Sequence, residues 1–334
     1  MNCLRILVLH TSKPLVTRQL LVERTVVKNV SRGFRRETRT HTLGETVGKQ
    51  KSFRESIMQP TSGKPFAIGQ AAVAGASVVG LGALCFYGAG FSRQEGAIDR
   101  AAAWPQYVRD RIHATYMYFG GSLIFTAATA ATVLRSPVLM QFVTRSSFTS
   151  FIVGIGAMMA SGYLVQSIPY KQGFGAKQLA WMFHSGVVGT VIAPLALLGG
   201  PLIIRAAVYT AGVVGGLSAV AMCAPSEKFL TMGGPLAIGF GAVFAASIGS
   251  FFLPPTTALG AGLYSISVYG GLILFSGLLL YDTQKIIKRA ETHPLYAAVP
   301  YDPINESISI YMDTINIFIR IAMILSGQGG NRRK

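Results

Sequence analysis

Glu306, Ser309, Asp313, Asn316 and Arg320 fall at offsets of 0, 3, 7, 10 and 14, which places them on one narrow stripe of an α-helix. Their neighbours Ile308, Tyr311, Met312, Ile315, Ile317, Phe318 and Ile319 are apolar. A carboxylate in the middle of such a helix costs roughly 2.5–3.5 kcal/mol to insert into a membrane, so the stripe must line a hydrated path or meet a polar partner. A helix lying on a membrane surface has a broad face rich in Lys and Arg. This one is narrow and carries a single Arg, so it belongs inside a bundle, where ionisable groups are functional by default. A second carboxylate, Asp282, closes a stretch from Phe229 to Tyr281 that contains no charge, and opens Asp282-Thr283-Gln284-Lys285. Spacing alone leaves it as a buried functional group, or as an interfacial Asp that caps a helix end or pairs with Lys285 three residues on.

His184 stands in the middle of another apolar stretch. It could sense pH near its ordinary value, although a structural hydrogen bond between helices explains it as well. No GxSG motif precedes a helix, so serine-protease chemistry has no motif to stand on. Cys3, Cys85 and Cys223 have no zinc-ligand spacing. The chain is not expected to be an enzyme or to hold a cofactor.

The elements that position these residues follow from composition. Of 334 residues, 51% are hydrophobic and 13% charged, where a soluble protein carries about 25% charged residues. The formal charge of +17 is lopsided: residues 1–64 hold 13 basic and 4 acidic side chains, or +9 of it. The 169 residues from His113 to Tyr281 carry only Arg135, Arg145, Lys171, Lys177, Arg205, Glu227 and Lys228. That distribution excludes an ordinary soluble enzyme and a nucleic-acid binder, whose cations spread over a folded face. It describes an all-α polytopic membrane protein with a basic leader.

A bilayer core of ~30 Å takes about 20 apolar residues per helix. By that measure the spans are Phe66–Gly90, Ala114–Leu134, Phe148–Pro169, Gln178–Gly199, Leu202–Ala224, Pro235–Leu253, Thr257–Tyr281 and Ile304–Leu325. The organisation is then a leader at 1–64, a first span at 66–90, a loop at 91–113, a membrane domain at 114–326 and a basic tail at 327–334. Short connections force neighbouring helices into antiparallel hairpins. Ala127/Ala131, Gly212/Gly216 and Ala242/Ala246 are small pairs four apart that suit helix packing, and Pro194 should kink its span. Basic residues divide nearly evenly between the two sides, so orientation stays open. The leader is rich in Arg, Ser and Thr, poor in acids, and lacks a secretory core. This is the composition of a mitochondrial transit peptide, drawn by the negative matrix potential.

Leu280-Tyr281-Asp282-Thr283-Gln284-Lys285-Ile286-Ile287 and Ser309-Ile310-Tyr311-Met312-Asp313-Thr314-Ile315-Asn316-Ile317-Phe318-Ile319 resemble the Bax-inhibitor family, over roughly residues 110–326. The resemblance implies a seven-helix bundle whose last helix is central, with Asp282 and Asp313 as paired carboxylates tied to a pH-sensitive calcium leak. The leader and extra first span resemble the family's mitochondrial branch. That implies a multi-pass protein of the mitochondrial inner membrane, a calcium/proton exchanger that supports cristae and cell survival. Bacterial relatives pair the aspartates with an Arg in the second of the seven helices. Phe148–Pro169 has no basic residue, and sequence places neither Arg205 nor Arg320 beside the pair.

Calcium seeks six to eight oxygens. Two aspartates supply four, and carbonyls, Asn316, Ser309 or waters must complete a weak shell, which suits an ion that has to leave again. Carboxylates sharing a site titrate as a unit, so protons and calcium would compete. The partners expected are therefore calcium, protons, the lipid bilayer and inner-membrane proteins, with no nucleic acid. The competing reading is a structural organiser of inner-membrane complexes whose aspartates serve packing alone. A third is a subunit that docks a soluble protein on the Ser92–Arg111 loop through Trp104 and Tyr107.

Overall fold

The computed structural model describes residues 58–330, apart from 90, 93–94, 145–147 and 226. The rest of the leader, Arg93, Arg145 and the basic residues of the tail lie outside the described residues. The described elements are helical: α1 (Lys64–Gly88), α2 (Ala97–Arg100), α3 (Gln106–Arg135), α4 (Pro137–Thr144), α5 (Phe148–Ser167), α6 (Ala176–Ile192), α7 (Gly200–Cys223), α8 (Gly233–Phe252), α9 (Ala258–Ser265), α10 (Gly271–Thr292) and α11 (Pro303–Gly330). Seven stretches are long and apolar enough to cross a membrane, and Ile152–Ser167 within α5 is a shorter apolar helix. The chain is a multi-pass, all-α membrane protein, a seven-helix bundle preceded by one additional membrane helix.

α11 occupies the centre. It packs on α10, α3 and α7 and also touches α5 and α6. In its most apolar window 44% of residues are buried, against 6% in α1. The difference follows from composition, because α11 carries a polar stripe that lipid cannot satisfy and α1 carries none. α1 lies at the rim against α7, α9 and the start of α10. It approaches closely at Gly69, where a Cβ would stand 2.3 Å from the Tyr269 ring, and Ser265 donates to the Pro65 carbonyl at 2.7 Å. An added Cβ at Gly212 or Gly216 meets nothing within 4 Å, so the tight contact expected of that pair is made by Gly69 instead.

Four boundaries differ from the sequence expectation. α3 begins at Gln106, eight residues before Ala114, because its first turns carry Asp110 and Arg111, which an apolar ruler discards. The span expected to end at Tyr281 runs as one element from Ala258 to Thr292, through a π-helical turn at Ile266–Gly270. α11 continues to Gly330, into the segment assigned to the tail. At the other end, Gln59 to Thr61 pair with the start of α9: Thr61 N donates to the Thr256 carbonyl at 2.9 Å and Ala258 N to that of Gln59 at 2.8 Å. The last leader residues are therefore ordered against the bundle. At Pro194 the α-helix gives way to a 3₁₀ segment, Ala193–Leu198, as a missing amide donor requires.

Candidate functional site: a carboxylate pair beneath a polar vestibule

The Asp282-Thr283-Gln284 motif lies inside α10 and not at its end, and helical rotation of about 100° per residue sends each side chain to a different neighbour. Thr283 Oγ1 donates to the Leu279 carbonyl at 2.7 Å. Gln284 Nε2 donates to the carbonyls of Ala221 (3.2 Å) and Pro225 (2.9 Å), and its Oε1 accepts from Phe229 N at 2.8 Å. Gln284 thus fastens the connection between α7 and α8. Asp282 turns towards α11, within hydrogen-bonding reach of Asp313 and Ser309. Both aspartates are buried, at 8% and 5% exposure.

α10 and α11 run antiparallel, and their seam has a regular step. Arg289 pairs with Glu306 at 2.5 Å, Asp282 faces Asp313, and Phe275 lies 4.4 Å beneath the Arg320 guanidinium. Each pair is seven residues down one helix and seven up the other, close to two turns. The stripe read from sequence is therefore one side of this seam, but its members part company. Glu306 is taken by Arg289. Ser309 Oγ donates to the Glu306 carbonyl at 3.3 Å beside Asp282. Asn316 Nδ2 donates to the Met312 carbonyl at 2.9 Å and its Oδ1 accepts from Arg320 at 2.9 Å, so Asn316 is turned away from the aspartates.

The pair is under-supplied with donors. Asp313 Oδ2 is buried and has no hydrogen-bond donor, and two carboxylates facing one another need a proton or a cation between them. The nearest fixed cation is Lys285, whose Nζ lies 3.9 Å from Asp282 Oδ1 and 5.7 Å from the Tyr281 ring centroid. Asp282 therefore lies buried against Asp313 and at the same time pairs with Lys285 three residues on. Arg320 is two turns from Asp313, and Arg205 is exposed on α7, so neither stands beside the pair.

Above Ser309 opens a cavity of about 790 Å³, lined by Gln166, Lys285, Arg289, Tyr301, Asp302, Asn305 and Glu306 among others, with Ser309 and Met312 at its inner end. Its walls come from α5, α10, α11 and the 293–302 connection, a combination that no local pattern announces. Lys177, 2% exposed, makes an ion pair with Asp302 and donates to the Ile168 carbonyl at 2.8 Å. Asp302 also accepts from Ile304 N (3.1 Å) and Asn305 N (3.0 Å), capping α11 at its positive end. Arg111 Nη1 donates to the carbonyls of Ala290 (3.0 Å) and His293 (2.8 Å) and so closes the carbonyl end of α10. The Tyr301 hydroxyl shares a hydrogen with Thr115 at 3.0 Å, and its pKa is pushed up to about 12, chiefly by burial.

His184 is elsewhere. Its Nδ1 is 2.9 Å from Ser161 Oγ, joining α5 to α6, and its Nε2 is buried without a partner. Its ring lies 6.2 Å from that of Tyr311, whose hydroxyl meets Thr126 at 2.6 Å. Tyr311 is two residues from Asp313, about 200° around the helix, so this network occupies the other flank of α11. Trp104 donates to Glu291 at 2.8 Å and the Tyr107 ring lies 5.0 Å from the Arg111 guanidinium carbon; the two aromatics offered as external anchors are used within the chain. Among the described residues no cluster of three or more His, Cys, Asp or Glu is placed to hold a metal ion.

The sequence places this bundle, wrapped around a last helix that faces an aspartate on its predecessor, in a known family. Residues 108–331 match the family described as "Inhibitor of apoptosis-promoting Bax1", and the chain belongs to that Bax-inhibitor family, which is not a known enzyme family. It is 53% identical to growth hormone-inducible transmembrane protein of Rattus norvegicus, over 99% of this chain and 98% of that one. It is 27% identical to Bax inhibitor 1 of Arabidopsis thaliana, over 51% of this chain and 66% of that one. An uncharacterised protein of Helicobacter pylori is 28% identical, over 68% of this chain and 95% of its own.

Proposed function

We propose that the chain is a calcium/proton-coupled transporter or a pH-gated calcium leak of the mitochondrial inner membrane, with Asp282 and Asp313 as the shared site for calcium and protons. The observation that carries this reading is the buried carboxylate pair, with Asp313 Oδ2 lacking a donor and Asp282 next to Ser309, a residue that lines the polar vestibule. Calcium takes six to eight oxygens. Four carboxylate oxygens, Ser309 Oγ and vestibule water make up that number, while Asn316, committed to Arg320, does not contribute. Lys285 offsets part of the negative charge and keeps the site weak, as a transport site must be.

The site has two ways to be neutral enough for its surroundings: a proton on the pair or a cation across it. Acid on the uptake side would displace calcium, and acid on the release side would help it leave. The location rests on the leader, whose bias towards Arg, Ser and Thr is that of a mitochondrial transit peptide. The test is calcium flux through the purified full chain in liposomes, with a proton dye in the same vesicles. Flux lost in Asp313→Asn at normal abundance supports the site. Intact flux at normal abundance removes it and favours the structural organiser of inner-membrane complexes.

A further inference from the structure

Arg320 has no carboxylate partner among the described ion pairs. It lies seven residues beyond Asp313 on α11, about 10 Å further from the vestibule along the axis. Its Nη1 donates to the carbonyl (3.0 Å) and side-chain oxygen (2.9 Å) of Asn316, its guanidinium covers the Phe275 ring, and its Nε is buried without a partner. A cation inside a membrane protein is costly and is retained for a reason, and here three features of the chain accommodate it. Gly271 is one, since a Cβ there would stand 2.1 Å from Arg320 Nε. Another is the π turn Ile266–Gly270 that ends just before that glycine; such turns mark functional sites in helices. The third is Asn316, turned to Arg320 and not to the aspartates.

The surroundings on this side of the pair are unlike those on the other. Towards the vestibule the seam is polar. Beyond Asp313, Leu279, Phe275, Ile317 and Ile321 are buried together in the main apolar core. A cation released from the aspartates in that direction meets packed hydrocarbon and then a guanidinium.

We propose that Arg320 is the barrier residue of the permeation route: a fixed positive charge that denies cations passage between the Asp282/Asp313 pair and the opposite membrane face until the guanidinium leaves its place between Asn316, Phe275 and Gly271. This rests on the reading of the pair as an ion site. A fixed charge repels a divalent ion twice as strongly as a monovalent one, so it acts on calcium more than on potassium.

The test uses the full chain in liposomes, with calcium and potassium leak measured in parallel. Arg320→Gln should raise calcium flux by at least about tenfold and the calcium-to-potassium ratio by at least about threefold, the charge effect being larger for the divalent ion. Arg320→Lys, which keeps the charge, should stay close to the parent. Gly271→Ala, which crowds the guanidinium while leaving it charged, should also raise flux and stands in if Arg320→Gln does not fold. Combining the more active variant with Asp313→Asn should bring flux back to that of Asp313→Asn alone. If Asp313→Asn abolishes flux while the folded Arg320→Gln or Gly271→Ala protein conducts no faster than the parent, the barrier assignment falls and the ion site stands. If Asp313→Asn leaves flux unchanged in both backgrounds, the ion site falls and takes the barrier with it.

Discussion

Replacing Asp313 with Asn keeps volume and hydrogen-bonding capacity while deleting charge, and in a membrane interior the change eases insertion by up to about 2–3 kcal/mol. Asp313→Asn should therefore accumulate normally yet lose calcium flux, Asp282→Asn should do likewise, and the double variant should be little worse than either because both act on one site; immunoblot and liposome flux together check this. Much of that pair was legible in sequence. The stripe of α11 stands out because lipid tolerates no polar residue without a purpose, and the resemblance joined it to Asp282. The direction of Asn316 was not legible, since offset fixes the face of a helix but not which neighbour a side chain selects there. Tyr301, on the vestibule wall, gives a second expectation. With its pKa pushed up to about 12 by burial, the folded form holds its proton more tightly than the unfolded chain. The stabilisation it brings is full below about pH 10 and is lost as pH rises towards 12. A difference titration at the phenolate absorbance band, parent minus Tyr301→Phe, should show one hydroxyl titrating near 12; a transition near 10 would contradict its burial.

Between α5, α6 and the start of α11, the Lys177–Asp302 pair acts as a latch. Lys177 is sealed from solvent, so Asp302→Ala would strand a buried ammonium and uncap α11, at a cost of about 3–5 kcal/mol. Its melting temperature in detergent should fall clearly, and Lys177→Met added to it should recover part of the loss by removing the stranded charge. A double variant as unstable as the single would show that the cap, not the ion pair, holds this corner. Elements of this kind were unevenly legible. Of the eight apolar stretches, seven coincide with helices long and apolar enough to cross a membrane and the eighth with the shorter apolar helix Ile152–Ser167, because hydropathy reports the lipid-facing requirement directly. It is blind to the early start of α3, whose first turns are polar, and to the π turn before Gly271, which changes backbone pairing but not composition. The vestibule, assembled from Gln166, Lys285, Tyr301 and Asn305, lies beyond any window of consecutive residues.

For the whole molecule, residues 1–64 fused to a soluble reporter should carry it to mitochondria and be shortened on import; a full-length cytosolic reporter would overturn the location. On the proposed competition of protons and calcium for the same oxygens, calcium entry should fall as the pH on the uptake side is lowered from 8 to 6, and a flat response would deny the pair a sensing role. The depth of that pair has a further consequence. Asp282 is ten residues from the end of α10 at Thr292, and Asp313 ten from the start of α11 at Pro303, about 15 Å along each helix. From Ala258 to Asp282 the same measure gives about 36 Å. Filled with water, the vestibule would carry the potential of the adjoining solution inward, and the membrane voltage would drop mainly across the packed layer between the aspartates and the far face. Each elementary charge crossing the full field gains about 2.3 kcal/mol per 100 mV. Occupancy of the carboxylates should then be nearly indifferent to voltage, while the onward rate of a divalent ion climbs steeply with it, so that an energised membrane accelerates delivery without tightening capture.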